Sequence, residues 1–220
     1  MAAKTRSQRF KPLIVEPLAK ALSIKVAAAN TELNMSPDEH QAELVVQAMM
    51  RTLLQPHIPC PTLITENEKV LDDPDLGGLI PDLIVKRVGG GYWGFFELKT
   101  MLKSDQLTVD DVERDLKKLS AYKQAHPGAA PIFILVGTWT KLFSTNRLTS
   151  WSRLPIRYQL DQFQTTPPAP QALNDNFVAI PAGSFAIEEL AIACFMWEIQ
   201  TRAESTVRLS ATYDFTAAMT

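Results

Sequence analysis

The sequence has few of the residues that mark several common classes of protein. Its 220 residues include two cysteines and three histidines, and none of these five stands at a spacing typical of a metal site. Cys60 and Cys194 lie far apart in the chain, so we expect reduced thiols rather than a disulfide scaffold. No uninterrupted apolar stretch is long enough to cross a bilayer, and a signal-peptide core is absent. We therefore expect a cytoplasmic protein with no membrane partner.

The chain also lacks the positive charge of a dedicated nucleic-acid binder. It carries 22 lysines and arginines against 24 aspartates and glutamates, a formal net charge of −2. The first thirty residues are the exception, because they contain six basic residues and a single acidic residue, Glu16. This arm could follow a phosphate backbone, or it could be an ordinary basic terminus.

Composition favours one hydrophobic core with elaborations, since 46% of the residues are hydrophobic and the chain is short. We divide it into a basic, helical extension over 1–35, a core over 36–140 and an elaboration over 141–220. The apolar-rich stretch from Ser184 to Ala203 predicts a long C-terminal helix that packs on the core or on a partner subunit.

The clearest local pattern is a β-hairpin. Pro81 to Val88 and Tyr92 to Thr100 are rich in β-branched, aromatic and aliphatic residues, and the three glycines from Gly89 to Gly91 can supply the positive φ of a turn. Antiparallel pairing then places the start of the first strand opposite the end of the second.

Three polar residues meet at that end of the hairpin. Glu97 and Lys99 face the same side of their strand because side chains alternate, and Asp82 lies opposite them. Two close carboxylates repel each other unless a cation lies between them, and carboxylate oxygens suit Mg²⁺. The simpler interpretation is a turn-capping aspartate with an exposed ion pair on the strand. Asp75 also follows a proline and is an alternative to Asp82 at this site. No strand comes directly after Asp75, so Asp82 is the better candidate.

The flanking segments predict a helix, a strand, the hairpin, a second helix and a last strand. Ser36 to Leu54 begins with a capping box, and Thr62 to Leu71 offers a weaker strand pattern. The second helix begins near Thr108 and ends at Pro127-Gly128, and Pro131 to Thr138 has the continuous apolar character of a strand buried on both faces.

This arrangement resembles the restriction-endonuclease-like, or PD-(D/E)XK, nuclease superfamily. The signature is Pro81-Asp82 followed by Glu97-Leu98-Lys99, and the order of elements matches the α-β-β-β-α-β core of that family. The resemblance implies an α/β fold with a mixed sheet flanked by helices, to which this chain adds N-terminal and C-terminal helical segments. It covers roughly the middle half of the chain, and the motif alone is short.

The resemblance also implies roles for individual residues. Asp82, Glu97 and the carbonyl group of Leu98 would hold Mg²⁺, which Mn²⁺ could replace, and Lys99 would orient or activate the attacking water. Glu43 would be a further or water-mediated ligand, although a solvated helix carboxylate is an equal interpretation.

Some relatives carry a glutamine and a tyrosine four residues apart on the second helix, where this sequence has Lys118 and Tyr122. The residues expected to contact nucleic acid are Lys103, Lys117 and Lys118.

The expected function is that of a metal-dependent endonuclease acting on DNA, in restriction, defence or repair, with a homodimer as a further expectation. Two alternatives remain open at this point: a nuclease-fold module that binds nucleic acid without cleaving it, and a subunit of a larger assembly. The sequence leaves open the recognition site, the choice between DNA and RNA, and the choice between endonuclease and exonuclease.

Overall fold

The computed structural model describes residues 12–29, 38–58, 62–73, 77–102, 107–138, 141–142, 171–172, 176–187 and 192–204. Its α-helices are α1 (Pro12–Ala28), α2 (Glu39–Leu54) and α3 (Val109–Ala125), and α2 continues into a 3₁₀ turn, Gln55–His57. Its strands are β1 (Thr62–Thr65), β2 (Leu71–Asp73), β3 (Gly77–Leu79), β4 (Leu83–Arg87), β5 (Tyr92–Met101), β6 (Ala130–Thr138), β7 (Gln171–Ala172), β8 (Phe177–Ile187) and β9 (Ile192–Thr201).

Seven strands form one mixed sheet in the order β1-β4-β5-β6-β9-β8-β7, and β2 pairs with β3 in a separate hairpin. The pair β5–β6 is parallel, and the remaining pairs of this sheet are antiparallel. One hydrophobic cluster joins α1 and α2 to one face of the sheet, and a second joins α3 to the other face. The fold is therefore α/β, as predicted, with a mostly antiparallel mixed sheet between helices.

Helix α2 forms where the sequence predicts it, and its apolar residues recur at helical spacing. Ala42, Val46, Met50 and Leu54 are all fully buried against the sheet. The N-cap is Asp38, whose side chain accepts a hydrogen bond from the backbone of Gln41. The predicted cap at Ser36 lies outside the described residues.

The predicted hairpin is confirmed as β4 and β5. Gly89, Gly90 and Gly91 have φ values of 99°, 109° and 85°, which residues with a side chain rarely adopt. Leu83 pairs with Phe96, so β4 begins two residues later than predicted and β5 continues past the start of β4. The strand predicted before the hairpin, Thr62 to Leu71, is shorter in the structure, because β1 ends at Thr65.

Helix α3 and strand β6 complete the core. Thr108 and Asp111 form a capping box at the start of α3, and the helix ends just before Pro127. Strand β6 is buried along almost its whole length in the middle of the sheet, as its continuous apolar sequence predicts.

The prediction of a C-terminal helix over Ser184–Ala203 is wrong, because this region forms β8 and β9. Cys194 lies in the cluster on the α1 and α2 side, whereas Phe195 lies in the cluster on the α3 side. Since β9 is buried on both faces, its sequence shows no alternation of polar and apolar residues, and a helical spacing could be fitted to it.

The segments outside 36–140 take part in the same fold. The described part of the N-terminal segment contains helix α1, and its apolar residues belong to the same cluster as those of α2. Strand β9 pairs with β6, so the C-terminal elaboration extends the central sheet. Within the described residues, no helix has both the length and the apolar character needed to span a membrane.

Gly137 allows β5 and β6 to lie close together, and substitution there should be costly. A Cβ atom at this position would lie 2.8 Å from the Met101 carbonyl oxygen and 2.9 Å from the Met101 Cβ. We expect Gly137→Ala to lower the free energy of unfolding by about 1–3 kcal/mol. Urea unfolding checks this, with Gly128→Ala as the control because a Cβ there meets no atom within 4 Å. Equal stability of the two variants would contradict the prediction.

Candidate functional site: a buried charged cluster

The site lies where β5 continues past β4 and leaves one edge of its backbone without a strand partner. Asp82 fills this gap, because its Oδ2 accepts a hydrogen bond of 2.6 Å from the backbone N–H of Leu98. The carbonyl oxygen of Asp82 accepts a second bond of 2.6 Å from Nε2 of Gln47 on α2. Asp82 is thus fixed by β5 on one side and by α2 on the other.

Glu97 is fully buried on the face of the sheet that α3 covers. Its neighbours Phe95 and Met101, two and four positions away, belong to the hydrophobic cluster on the same face. Lys118 on α3 donates a hydrogen bond of 3.0 Å to Glu97 Oε2. The other oxygen, Oε1, has no hydrogen-bond partner among the described residues.

Lys99 reaches carboxylates from both layers of helices. Its Nζ lies 3.5 Å from Oε1 of Glu43 on α2 and 3.3 Å from Oδ2 of Asp115 on α3. Asp115 Oδ1 also lies 2.9 Å from the Nζ of Lys118. These contacts join three carboxylates and two ammonium groups, and Asp82 interacts electrostatically with both lysines. We call the six residues the charged cluster: Glu43, Asp82, Glu97, Lys99, Asp115 and Lys118.

Burial and mutual repulsion raise the pKa of three carboxyl groups of the cluster, those of Glu43, Asp82 and Glu97. Burial raises the pKa of Asp82 and of Glu43. Burial, and then the charges of Asp82 and Asp115, raise the pKa of Glu97 well above its usual range.

The pKa values of the two lysines are also raised, but the cause is the negative charge of the neighbouring carboxylates. Burial lowers the pKa of Lys99, but the charges of Asp115 and Glu43 outweigh burial and raise it overall. Glu97 and Asp115 likewise raise the pKa of Lys118. Both side chains therefore stay positively charged at neutral pH.

The structure brings together the four residues predicted to be catalytic, Asp82, Glu97, Lys99 and Glu43. Of the three predicted nucleic-acid contacts, Lys118 belongs to the charged cluster, Lys117 is exposed on α3, and Lys103 lies outside the described residues.

The sequence analysis missed Asp115. A signal for it exists, because Asp115 lies on the apolar stripe of α3 between Val112 and Leu119, where a carboxylate is unusual.

The donors of the cluster fit a hard divalent cation in chemistry and in charge. Four carboxylates and two ammonium groups carry a formal charge of −2 when all are ionised, and the unpaired Oε1 of Glu97 is a buried acceptor without a donor. Within the described residues, however, no group of three or more His, Cys, Asp or Glu side chains is arranged to hold a metal ion. The ammonium groups of Lys99 and Lys118 lie between the carboxylates instead.

Removing the charge of Asp82 should make the metal-free protein more stable at neutral pH. The pKa of Asp82 is raised on folding, so its favourable contribution is present below the unfolded-state pKa and is lost as pH rises through the folded-state value. We expect Asp82→Asn, which keeps an acceptor for Leu98, to have a higher Tm than the wild type in EDTA at pH 8. This advantage should shrink toward pH 4. The prediction would be contradicted if the Tm of Asp82→Asn minus that of the wild type were smaller at pH 8 than at pH 4.

The chain matches no protein-family model, no curated protein and no solved structure in the three comparisons made. The function is therefore inferred from the charged cluster and from the motif that supplies three of its six residues.

Proposed function

We propose that this chain is a Mg²⁺-dependent endonuclease that hydrolyses the phosphodiester bonds of DNA, in restriction, defence or repair. The observation that carries the proposal is the meeting of Asp82, Glu97 and Lys99 at the open end of the β4–β5 hairpin. A Pro-Asp and a Glu-x-Lys motif would have no reason to share one buried location if each were only a surface feature. Glu43, from a separate helix, comes to the same location.

The proposed roles follow from the chemistry of each group. Asp82, Glu97 and the carbonyl oxygen of Leu98 would hold the divalent cation, and Glu43 would bind a water of its coordination shell. Such a cation lowers the pKa of bound water and offsets the negative charge of the phosphate. The ammonium of Lys99, held between Glu43 and Asp115, would orient the attacking water and stabilise the charge that develops on the phosphoryl oxygens.

The surroundings of the cluster support accurate placement of these groups. Strand β5 lies next to the central strand β6, and helices cover both faces of the sheet. Groups fixed on strands and packed helices stay close to their working geometry, which is needed for in-line attack on phosphorus. Lys117, which is exposed on α3 and next to Lys118 in sequence, would contact a neighbouring phosphate of the DNA.

A second candidate function is a nuclease-fold module that binds nucleic acid, or joins an assembly, without cleaving anything. One observation favours it: the two lysines of the cluster already pair with three of its carboxylates. A set of ion pairs can hold two helices and a strand together with no catalytic role.

Incubation of the purified protein with circular and linear DNA separates the two candidates. The proposed function predicts loss of the supercoiled form in Mg²⁺ or Mn²⁺ and none in EDTA. Opening of the circle identifies an endonuclease, and attack on linear DNA alone identifies an exonuclease. A protein that shifts DNA in a gel but leaves it intact under every divalent ion would support the binding module and overturn the proposed reaction.

A further inference from the structure

Lys118 supplies a positive charge to Glu97, one of the carboxylates that the proposed function assigns to the metal ion. Its Nζ lies 3.0 Å from Glu97 Oε2 and 2.9 Å from Asp115 Oδ1. Both carboxylate side chains are 1% exposed, whereas the side chain of Lys118 is 21% exposed. The ammonium thus reaches from the partly open side of the cluster to two carboxylates that water barely reaches.

One oxygen of Glu97 remains for a further ligand. Oε1 is buried and has no hydrogen-bond partner within the described part of the chain. A buried acceptor without a donor is unfavourable and uncommon in folded proteins. This unpaired oxygen is a second observation, independent of the grouping of acidic residues, and it indicates that the cluster is built for one more cation.

We propose that Lys118 is an exchangeable counter-ion, which neutralises Glu97 in the metal-free protein and is displaced from it by the divalent cation. This inference rests on the proposed function and goes further, because it assigns Lys118 a role in metal loading. It also accounts for the lack of a ready three-carboxylate site in the described residues, since lysine nitrogens stand between the carboxylates.

The exchange has a direct physical consequence for metal affinity. The ammonium of Lys118 is already bound to Glu97, and it would repel a divalent cation within a few ångströms strongly in this partly buried site. The flexible four-carbon stem of lysine lets the ammonium move while Asp115 keeps one contact with it. Once released from Glu97, the ammonium of Lys118 would be free to pair with a phosphate oxygen of the substrate.

Metal titration of Lys118→Met tests the proposal without any measurement of cleavage. The side chain of methionine has a similar length and no charge, and Lys117→Met on the exposed side of the same helix is the matched control. Calorimetry and thermal unfolding would be carried out with Mg²⁺ and with Mn²⁺. We expect Lys118→Met to bind the ion at least about tenfold more tightly than the wild type. We also expect it to have a lower Tm in EDTA and a larger rise in Tm on addition of metal.

The controls make the outcomes distinct. Lys117→Met should match the wild type in both measurements, and Lys118→Arg, which keeps the charge, should bind the ion no more tightly than the wild type. If the wild type binds the ion and Lys118→Met binds it equally or more weakly, the exchange is overturned while the proposed function stands.

If no variant binds either ion, the proposed function fails, and the exchange fails with it. Lys118→Gln provides the same charge removal should the methionine variant not fold.

Discussion

Asp82→Asn and Lys99→Met are each expected to reduce DNA cleavage at least about a thousandfold while leaving the fold intact. The first change removes a negatively charged ligand of the proposed metal site. The second removes the ammonium that Glu43 and Asp115 hold in place. Single-turnover cleavage of supercoiled DNA in saturating Mg²⁺ measures the effect, and circular dichroism confirms that each variant is folded.

Lys117→Met is the matched control for both variants, because Lys117 is exposed on α3 and lies outside the charged cluster. It should weaken DNA binding slightly and leave the rate at saturating DNA unchanged. Cleavage at the wild-type rate by either Asp82→Asn or Lys99→Met would contradict the proposed roles. It would also leave the ion pairs of the cluster as purely structural contacts.

Asp115→Ala is expected to have the largest effect on stability. Asp115 is fully buried and lies within ion-pair distance of both Lys99 and Lys118, so its removal leaves two partly buried ammonium groups with less compensation. Breaking a buried ion pair from one side costs about 3–5 kcal/mol. For a protein of this size each kcal/mol lowers the Tm by about 2–4 °C. Chemical and thermal unfolding in EDTA measure both quantities.

Asp110→Ala is a suitable comparison, because Asp110 is exposed in the first turn of the same helix. Its loss should change stability by less than about 1 kcal/mol, through the helix dipole alone. If Asp115→Ala were as stable as Asp110→Ala, the contacts of Asp115 would be of no energetic importance. The ion pairs of Asp115 would then not hold Lys99 and Lys118 in the cluster.

The middle of the fold could be predicted because its local signals agree with its tertiary structure. The three glycines after Val88, the capping box at Thr108 and the apolar run of β6 each determine a local structure that the fold retains. The C-terminal region could not be predicted in this way. Ile192 to Trp197 are buried on both faces of the sheet, and such a sequence carries no period that separates a strand from a helix.

The site could be predicted as far as strand geometry reaches. Alternation along β5 and the register of the hairpin were enough to bring Asp82, Glu97 and Lys99 together. Asp115 could not be found by that argument, because its place depends on how α3 lies across the sheet. The ion pairs of Lys118 could not be predicted for the same reason, because a position on a helix does not show which carboxylates lie within reach of the lysine.

The packing of α1 on β8 and β9 has a consequence for how the protein is made. Leu18 and Leu22 share a buried cluster with Cys194 and Met196, and Ser23 donates a hydrogen bond of 3.1 Å to the carbonyl oxygen of Phe185. During translation the helix leaves the ribosome long before these strands. Helix α2 can contact α1 early, but the apolar residues of α1 that pack on β8 and β9 lack those partners while the intervening residues are made. Contacts of such long sequence separation slow folding. Newly synthesised chains should therefore need protection from aggregation until β9 emerges.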